Sequence, residues 1–310
     1  MFGYIFKRLI EMVPVLFIVV SLTFVFMRMA PGGPFDSEKA APAEVIKALN
    51  EKYKFNAPLH EQYLYFIKDL LRGDFGPSFK HPGRTVVEMI SEGLPRTVEL
   101  ALYSILFALI LGVFSGVLGA IKRNTWLDYL PMSLSMVGIC VPSFLLGPLM
   151  VLVFGIWLHW LPVAGWDNGF VYKILPTITL GSAYAAYIAR LSRGGMLEIL
   201  SQDFIRTARA KGVPEKEVIT KHALKGGLLP VVSFLGPALA GLLGGSFVTE
   251  TIFQIPGIGR FYVEAAFNRD YTLITGTTIL FALFFVFFNL FSDVITVMLN
   301  PKLSFAKDRK

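Results

Sequence analysis

Apolar positions gather in long runs, separated by polar breaks rich in proline and glycine. The runs cover approximately residues 9–27, 98–120, 130–159, 174–189, 228–248 and 273–299. A hydrocarbon core of about 30 Å needs roughly 20 apolar residues in a helix. The pattern therefore predicts an all-α fold, a polytopic membrane helix bundle of about six transmembrane helices. The fourth run is the shortest and is rich in Ala, Gly and Tyr, a composition suited to a helix packed among other helices. The first run follows Lys7 and Arg8, as a signal peptide would. It outlasts the ~7–15 residues of a signal h-region and shows no A-x-A cleavage site, so it reads as a retained span.

Composition strengthens this picture. Of 310 residues, 54% are hydrophobic and 16% charged, and the mean hydropathy is +0.60. Soluble domains carry about 25% charged residues, and no soluble core of this size could hide so many Phe, Leu, Ile and Val side chains. The net charge of +7 and pI near 9.4 would also suit a nucleic-acid binder, but long charge-free runs would not. Basic residues concentrated in short loops on one side give the simpler account. Lys7, Arg8, Lys122, Arg123, Arg190, Arg193, the cations from Arg206 to Lys225, and Lys302, Lys307, Arg309 and Lys310 fall on that side. The short loops opposite hold only Lys173, Arg260 and Arg269. The basic side is expected to be cytoplasmic, with both termini on it. Trp157, Trp160 and Trp166 cluster just past the third run, where an interfacial aromatic belt is expected. The single cysteine, Cys140, permits no disulfide within the chain.

Four parts follow from this layout. Residues 1–29 form the N-terminal end and first span, and residues 30–97 a large outer loop. Residues 98–300 form a core with five spans and a cytoplasmic loop at 190–227, and residues 301–310 a cytoplasmic tail. In the outer loop, Ala30-Pro31-Gly32-Gly33-Pro34 ends the first span. Leu59, Tyr63, Phe66, Ile67, Leu70 and Leu71 then recur at helical spacing, with Pro58 in the first turn and Gly73 at the stop. Such an amphipathic helix either caps the bundle or docks an external ligand-delivery protein. In the cytoplasmic loop, Asp203 is expected to N-cap a helix from Phe204 to Lys211, with Gly212 ending it and Pro214 opening another. Small residues and long cations in Ala208-Arg209-Ala210-Lys211-Gly212 suit insertion into a groove on a partner protein.

Catalytic signatures are missing. No lysine precedes Ser or Thr, so there is no Walker A loop; His60-Glu61 lacks the second zincin histidine; no G-x-S-x-G occurs. Gly257-Ile258-Gly259 follows a span rather than a strand and lacks a third glycine. His60, His81, His159 and His222 are scattered and form no metal set with Cys140. Ionisable residues in spans are default functional candidates. Asp293, with Asn289 beside it, lies in the last span, where it either pairs with an interfacial cation or lines the inner end of a pathway. Glu250 ends the fifth span, as a gate or at headgroup level. No acid sits mid-membrane where a proton-coupled carrier would bury one.

Several blocks resemble one family. They are Arg8-Leu9 running to Arg28-Met29-Ala30-Pro31-Gly32; Pro58-Leu59 and Gln62-Tyr63; Gly73-Asp74-Phe75-Gly76-Pro77-Ser78; Leu94-Pro95-Arg96-Thr97; and Phe204-Ile205-Arg206-Thr207-Ala208-Arg209-Ala210-Lys211-Gly212. Glu250-Thr251, Pro256-Gly257-Ile258-Gly259 and Arg269-Asp270-Tyr271 complete the set. In order and spacing they resemble the permease subunits of bacterial oligopeptide and dipeptide ABC importers, nearest the first-permease branch of the oligopeptide systems, over essentially the whole chain. The loop block resembles the family's "EAA" loop. It departs from the general pattern at Arg206-Thr207-Ala208 and at His222-Ala223-Leu224-Lys225, as peptide-importer permeases do, and the tail reads Asn300-Pro301 in place of Asp-Pro.

The resemblance implies a type I ABC-importer permease fold and a non-catalytic transport subunit of the bacterial inner membrane. It implies a second homologous permease, two ATP-binding subunits that carry ATP and Mg, and an external solute-binding protein, with no cofactor on this chain. Oligopeptides are the implied cargo, with dipeptides or nickel as alternatives and a self-sufficient secondary carrier as the competing class. Phe204, Arg206, Ala208, Arg209, Ala210, Lys211 and Gly212 become the expected ATPase-coupling residues. Glu250, Asp293 and Asn289 become the expected pathway or gate residues.

Overall fold

The computed structural model describes residues 2–29 and 56–299. The exit of the first span at Ala30 to Pro34, the early part of the outer loop and the tail from Asn300 lie outside them. Every regular element among the described residues is helical. The first helix, α1 (Phe2–Met29), is followed by α2 (Leu59–Leu71) and α3 (Val86–Ile121). Next come α4 (Trp126–Cys140), α5 (Ser143–Met150, widening into a π-helical turn at Val151–Trp157) and α6 (Val171–Leu200). Beyond the loop helix α7 (Asp203–Ala210) and the short turns Glu215–Glu217, Val218–Ala223 and Leu224–Gly227 lie α8 (Leu229–Gly245), α9 (Phe247–Ile252), α10 (Ile258–Asn268) and α11 (Tyr271–Leu299).

Among the described residues, four helical stretches are long and apolar enough to cross a membrane: Ile10–Met29, Val86–Ile121, Leu229–Ile252 and Tyr271–Met298. The expected third span is not one straight helix. It is broken into α4 and α5, bent by 107° to each other, and counts as a fifth crossing only if the pair is taken together. The reason is local. Val141 precedes a proline and is extended (φ −89°, ψ 112°), as pre-proline residues tend to be. Pro142 has no N–H to continue the α4 ladder, and a new helix starts after it. The fourth expected run lies within α6, whose 30 residues are ample in length but less apolar. Thr179, Gly181, Ala186, Ala189, Ser192 and Gly195 of α6 are buried, so these small and polar residues face protein. Helix α3 begins twelve residues before position 98, at Val86. There Thr85 and Glu88 form a reciprocal capping box, Thr85 N–H to Glu88 Oε2 at 2.9 Å and Glu88 N–H to Thr85 Oγ1 at 3.2 Å.

Helix α2 forms where its periodicity places it, with Pro58 as the N-cap and Gly73 (φ 75°) just past its end. It lies on α1. Tyr63 meets Phe24 edge-on and Phe66 stacks on it, with ring centroids 5.3 and 5.5 Å away, and the Tyr63 and Ser21 hydroxyls are 2.6 Å apart.

The centre of the bundle is the α3–α6 pair. Gly112 and Gly116, spaced as in a small-xxx-small seam, let the two backbones approach closely. A Cβ on Gly112 would sit 2.7 Å from the Ala185 carbonyl oxygen, and one on Gly116 would overlap the Ala189 carbonyl and lie 2.6 Å from Ser192 Cβ. Around this seam Leu100, Ala101, Ile105 and Ala108 of α3 pack with Leu175, Leu180 and Ile188 of α6 and with Ala238, Leu242 and Leu243 of α8. Helix α11 closes against α8 in the same way, because a Cβ on Gly236 would strike the Phe288 carbonyl. Gly116→Val should therefore destabilise the detergent-purified protein by roughly 1–3 kcal/mol, as an overpacked core does, and so lower its thermal midpoint. Gly194→Ala on the same α6, where no heavy atom lies within 4 Å of the new Cβ, should be neutral or raise it.

Candidate functional site

The loop expected to meet a partner projects from the end of the bundle where α3 and α6 finish and α8 begins. Helix α6 ends at Leu200, Gln202 adopts an extended conformation (ψ 151°), and α7 starts. Gln202, not Asp203, is the N-cap; its carbonyl accepts the Ile205 N–H at 3.1 Å, while Asp203 sits in the first turn. An acid there still suits the helix dipole. Ile205 is fully buried and Ala208 nearly so, in a cluster with Ala120, Met196, Val218 and Ala223. Ala208 thus grants close approach to the chain's own core rather than to a partner. The opposite face carries Phe204, Arg206, Arg209, Ala210 and Lys211, all exposed.

Gly212 (φ 77°) turns the chain sharply, with its N–H on the Arg209 carbonyl at 3.0 Å and the Val213 N–H on the Ala208 carbonyl at 3.2 Å. Arg209 grips Glu215 through two hydrogen bonds, Nε to Oε2 at 3.0 Å and Nη2 to Oε1 at 2.6 Å. The guanidinium hydrogen bonds hold the Glu215 carboxyl below its usual range, and the carboxylate raises Arg209 in turn. Arg209 is therefore partly spent on clasping the loop. Arg206 makes only a loose 3.4 Å contact with Asp203, and for Lys211 no ion pair is found among the described residues. These two cations are the ones α7 presents outward.

At the opposite end, motif blocks distant in sequence meet in two buried nodes. In the first, Glu250 is fully buried within the protein. Its carboxylate accepts hydrogen bonds from Thr97 Oγ1 (2.9 Å), Ser246 Oγ (2.7 Å) and the Arg260 N–H (3.1 Å). Thr97 Oγ1 also accepts the Ile258 N–H at 2.9 Å. Gly257 and Gly259 lie so close that a Cβ on either would collide with the carboxylate. In the second, the Asp270 carboxylate is 1% exposed and accepts from the Ser78 hydroxyl, the Phe79 N–H (3.2 Å), Thr272 Oγ1 (3.0 Å) and the Leu273 N–H (3.3 Å). The one Thr272 hydroxyl proton is shared between Asp270 and the nearer Pro77 carbonyl at 2.7 Å. The first node fastens the turn before α10 to α3, and the second fastens the loop after α2 to the start of α11.

Asn289 donates back to the Phe285 carbonyl of its own helix at 2.7 Å. Asp293 is paired with Arg8 Nη2 at 2.9 Å, which ties the last helix to the first. Two further acids, each paired with a cation, were not expected from sequence. Glu99 in α3 pairs with Lys173 and accepts the Trp166 indole N–H at 2.9 Å. Asp128 in α4 pairs with Arg193 in α6. A lone carboxylate inside an apolar run was the available signal for Glu99. Asp128 falls just outside the run at 130–159 and gave none.

A family model described as the binding-protein-dependent transport system inner membrane component matches residues 108–305, from mid-α3 onward. The chain belongs to that family of transport permeases. It is 45% identical over 306 residues to the oligopeptide transport system permease protein OppB of Haemophilus influenzae, covering 98% of this chain and 100% of the relative. It is 40% identical over 304 residues to the dipeptide transport system permease protein DppB of Bacillus subtilis, covering 98% of each. Among solved structures, a chain of the MetNI methionine ABC transporter in an inward-facing conformation superposes with a TM-score of 0.59 at 19% identity, over 68% of this chain and 96% of that one. That likeness establishes the type I importer-permease fold.

Truncating Glu250 strands two hydroxyls and a backbone N–H in a dry site. Glu250→Ala should therefore destabilise the purified protein by about 2 kcal/mol or more, and Glu250→Gln by clearly less because one carbonyl oxygen remains. Thermal unfolding of both variants in one detergent checks the order.

Proposed function

We propose that this chain is the transmembrane permease subunit of an ATP-binding-cassette importer and forms half of a pathway that carries oligopeptides across the inner membrane. The observation that carries this reading is the design of α7: Ile205 and Ala208 seat it on the ends of α3 and α6, while Phe204, Arg206, Ala210 and Lys211 face away from the bundle. Full-length similarity to oligopeptide permeases supports the cargo. The complex would hold a second homologous permease, two ATP-binding subunits and an external solute-binding protein. The loop 190–227 and both termini would be cytoplasmic, and the segment 30–97 would be outside. Closure of the ATP-binding pair would push on the exposed face of α7. Its buried face would pass that displacement to Met196 and Ala120, and so to the α3–α6 pair. High-affinity capture would rest on the external protein, so this chain need present only a passage.

The fold of the loop depends on Gly212 holding a left-handed conformation. No heavy atom lies within 4 Å of a Cβ placed there, so a side chain at this position meets a backbone penalty of about 1–2 kcal/mol and no clash. In the importer purified from native membranes and reconstituted, Gly212→Val should cut peptide uptake per ATP hydrolysed about tenfold, the order of a typical coupling energy. Gly212→Asn, which tolerates that conformation, should retain most of it. Normal coupling in the valine variant would refute the assignment. Uptake of peptide by the purified chain alone in liposomes would favour the secondary-carrier class. Graded di-, tri- and pentapeptides in the same assay separate oligopeptide from dipeptide cargo.

A further inference from the structure

Helix α4 is fastened to α6 at two points and stands clear of α3 between them. At its start, Asp128 is 1% exposed and takes the Arg193 guanidinium side-on, Nε to Oδ1 at 2.6 Å and Nη2 to Oδ2 at 2.7 Å. The Asn124 N–H completes the carboxylate's set at 3.1 Å. Gly119 of α3 leaves the room for it, since a Cβ there would stand 2.9 Å from Oδ1. Near its end, Gly138 rests on α6, where a Cβ would stand 3.1 Å from the Ser182 carbonyl oxygen. Between these points an apolar groove of about 500 Å³ separates α4 from α3, bordered by Phe107, Leu111 and Phe114 on one side and Leu130, Leu134 and Val137 on the other. Immediately beyond Gly138 the chain breaks at Val141–Pro142 and turns through 107° into α5.

This is the geometry of a lever. It has a stiff attachment at the loop end, a small-residue pivot beside a break, and open space along its length. Arg193 lies one helical turn before Met196, whose side chain packs on Ile205 and Ala208 of α7. We propose that the Asp128–Arg193 pair is a positioning strut that converts displacement of α7 and the end of α6 into a swing of α4 about Gly138 into the groove, carrying α5 with it. The inference rests on the reading of α7 as the point where the ATPase pair acts. A bidentate ion pair, its carboxylate buried and its guanidinium part-exposed, suits the task because it resists rotation as well as separation. Losing Arg193 strands the buried Asp128 carboxylate.

The test uses the whole importer. Asp128→Asn and Arg193→Gln should leave ATP hydrolysis within about twofold of normal and lower uptake per ATP about tenfold. Arg193→Lys, which keeps the charge but not the fork, should fall between. Spin labels at Phe114→Cys and Leu134→Cys in a Cys140→Ser background report the groove width. Their distance distribution should shift between the nucleotide-free and vanadate-trapped states with the strut intact, and stay fixed in the Asp128→Asn complex. Unchanged coupling in an assembled Asp128→Asn complex overturns the strut. So does an unchanged groove width in the complex with the native pair, a measurement that stands even if Asp128→Asn fails to assemble. If Gly212→Val uncouples transport and Asp128→Asn does not, the strut alone falls. If neither does, the reading of α7 falls with it.

Discussion

The molecule depends on the near-contact of two backbones. Gly112 and Gly116 bring α3 within touching distance of the Ala185 and Ala189 carbonyls of α6, and nearly everything else is built on that pair. Lipid offers no hydrophobic drive for one apolar helix to leave it for another, so association rests on close van der Waals packing and on hydrogen bonds. A seam of glycines is where such packing can be tightest. One end of the seam seats α7 through Ala120 and Met196. The other carries Thr97 and, through it, the Glu250 node. The pair thus runs unbroken from the loop that faces the proposed partner to the far side of the bundle.

The carboxylates divide the labour. Glu250 and Asp270 are each held by hydroxyl and backbone N–H donors. Such sites lock turns, because every donor they hold would otherwise be stranded. Asp128 and Asp293 are instead held by arginines on other helices, which joins element to element. The first kind makes the end opposite α7 rigid. The second kind sits near the end where movement would be delivered.

Much of this was legible in the sequence and some was not. Long apolar runs announced the helices, and Pro58, Gly73, Gly212 and Pro214 marked real boundaries, because glycine and proline act through local backbone geometry. The break in the third run was equally local, yet Val141-Pro142 was passed over, since hydropathy averages across a single proline. Ala208 illustrates the opposite limit. Its size was read correctly, but which face of α7 is buried depends on Met196 and Val218, remote in sequence. The same holds for Glu250: only the fold shows that the blocks at Thr97, Glu250 and Gly257–Gly259 form one site. The pairing of Asp128 with Arg193 spans two helices and left no trace in spacing or composition.

The central claim is that force from a separate nucleotide-hydrolysing subunit enters through the outward face of α7. A photo-crosslinking residue placed at Phe204, Lys211 or Ala208 in turn, in cells expressing the intact importer, tests it most directly. The account predicts adducts with the mass of an ATP-binding subunit from positions 204 and 211, and none from the buried position 208. Adducts with the external binding protein, or labelling of positions 204 and 211 by a membrane-impermeant reagent added outside intact cells, would contradict it.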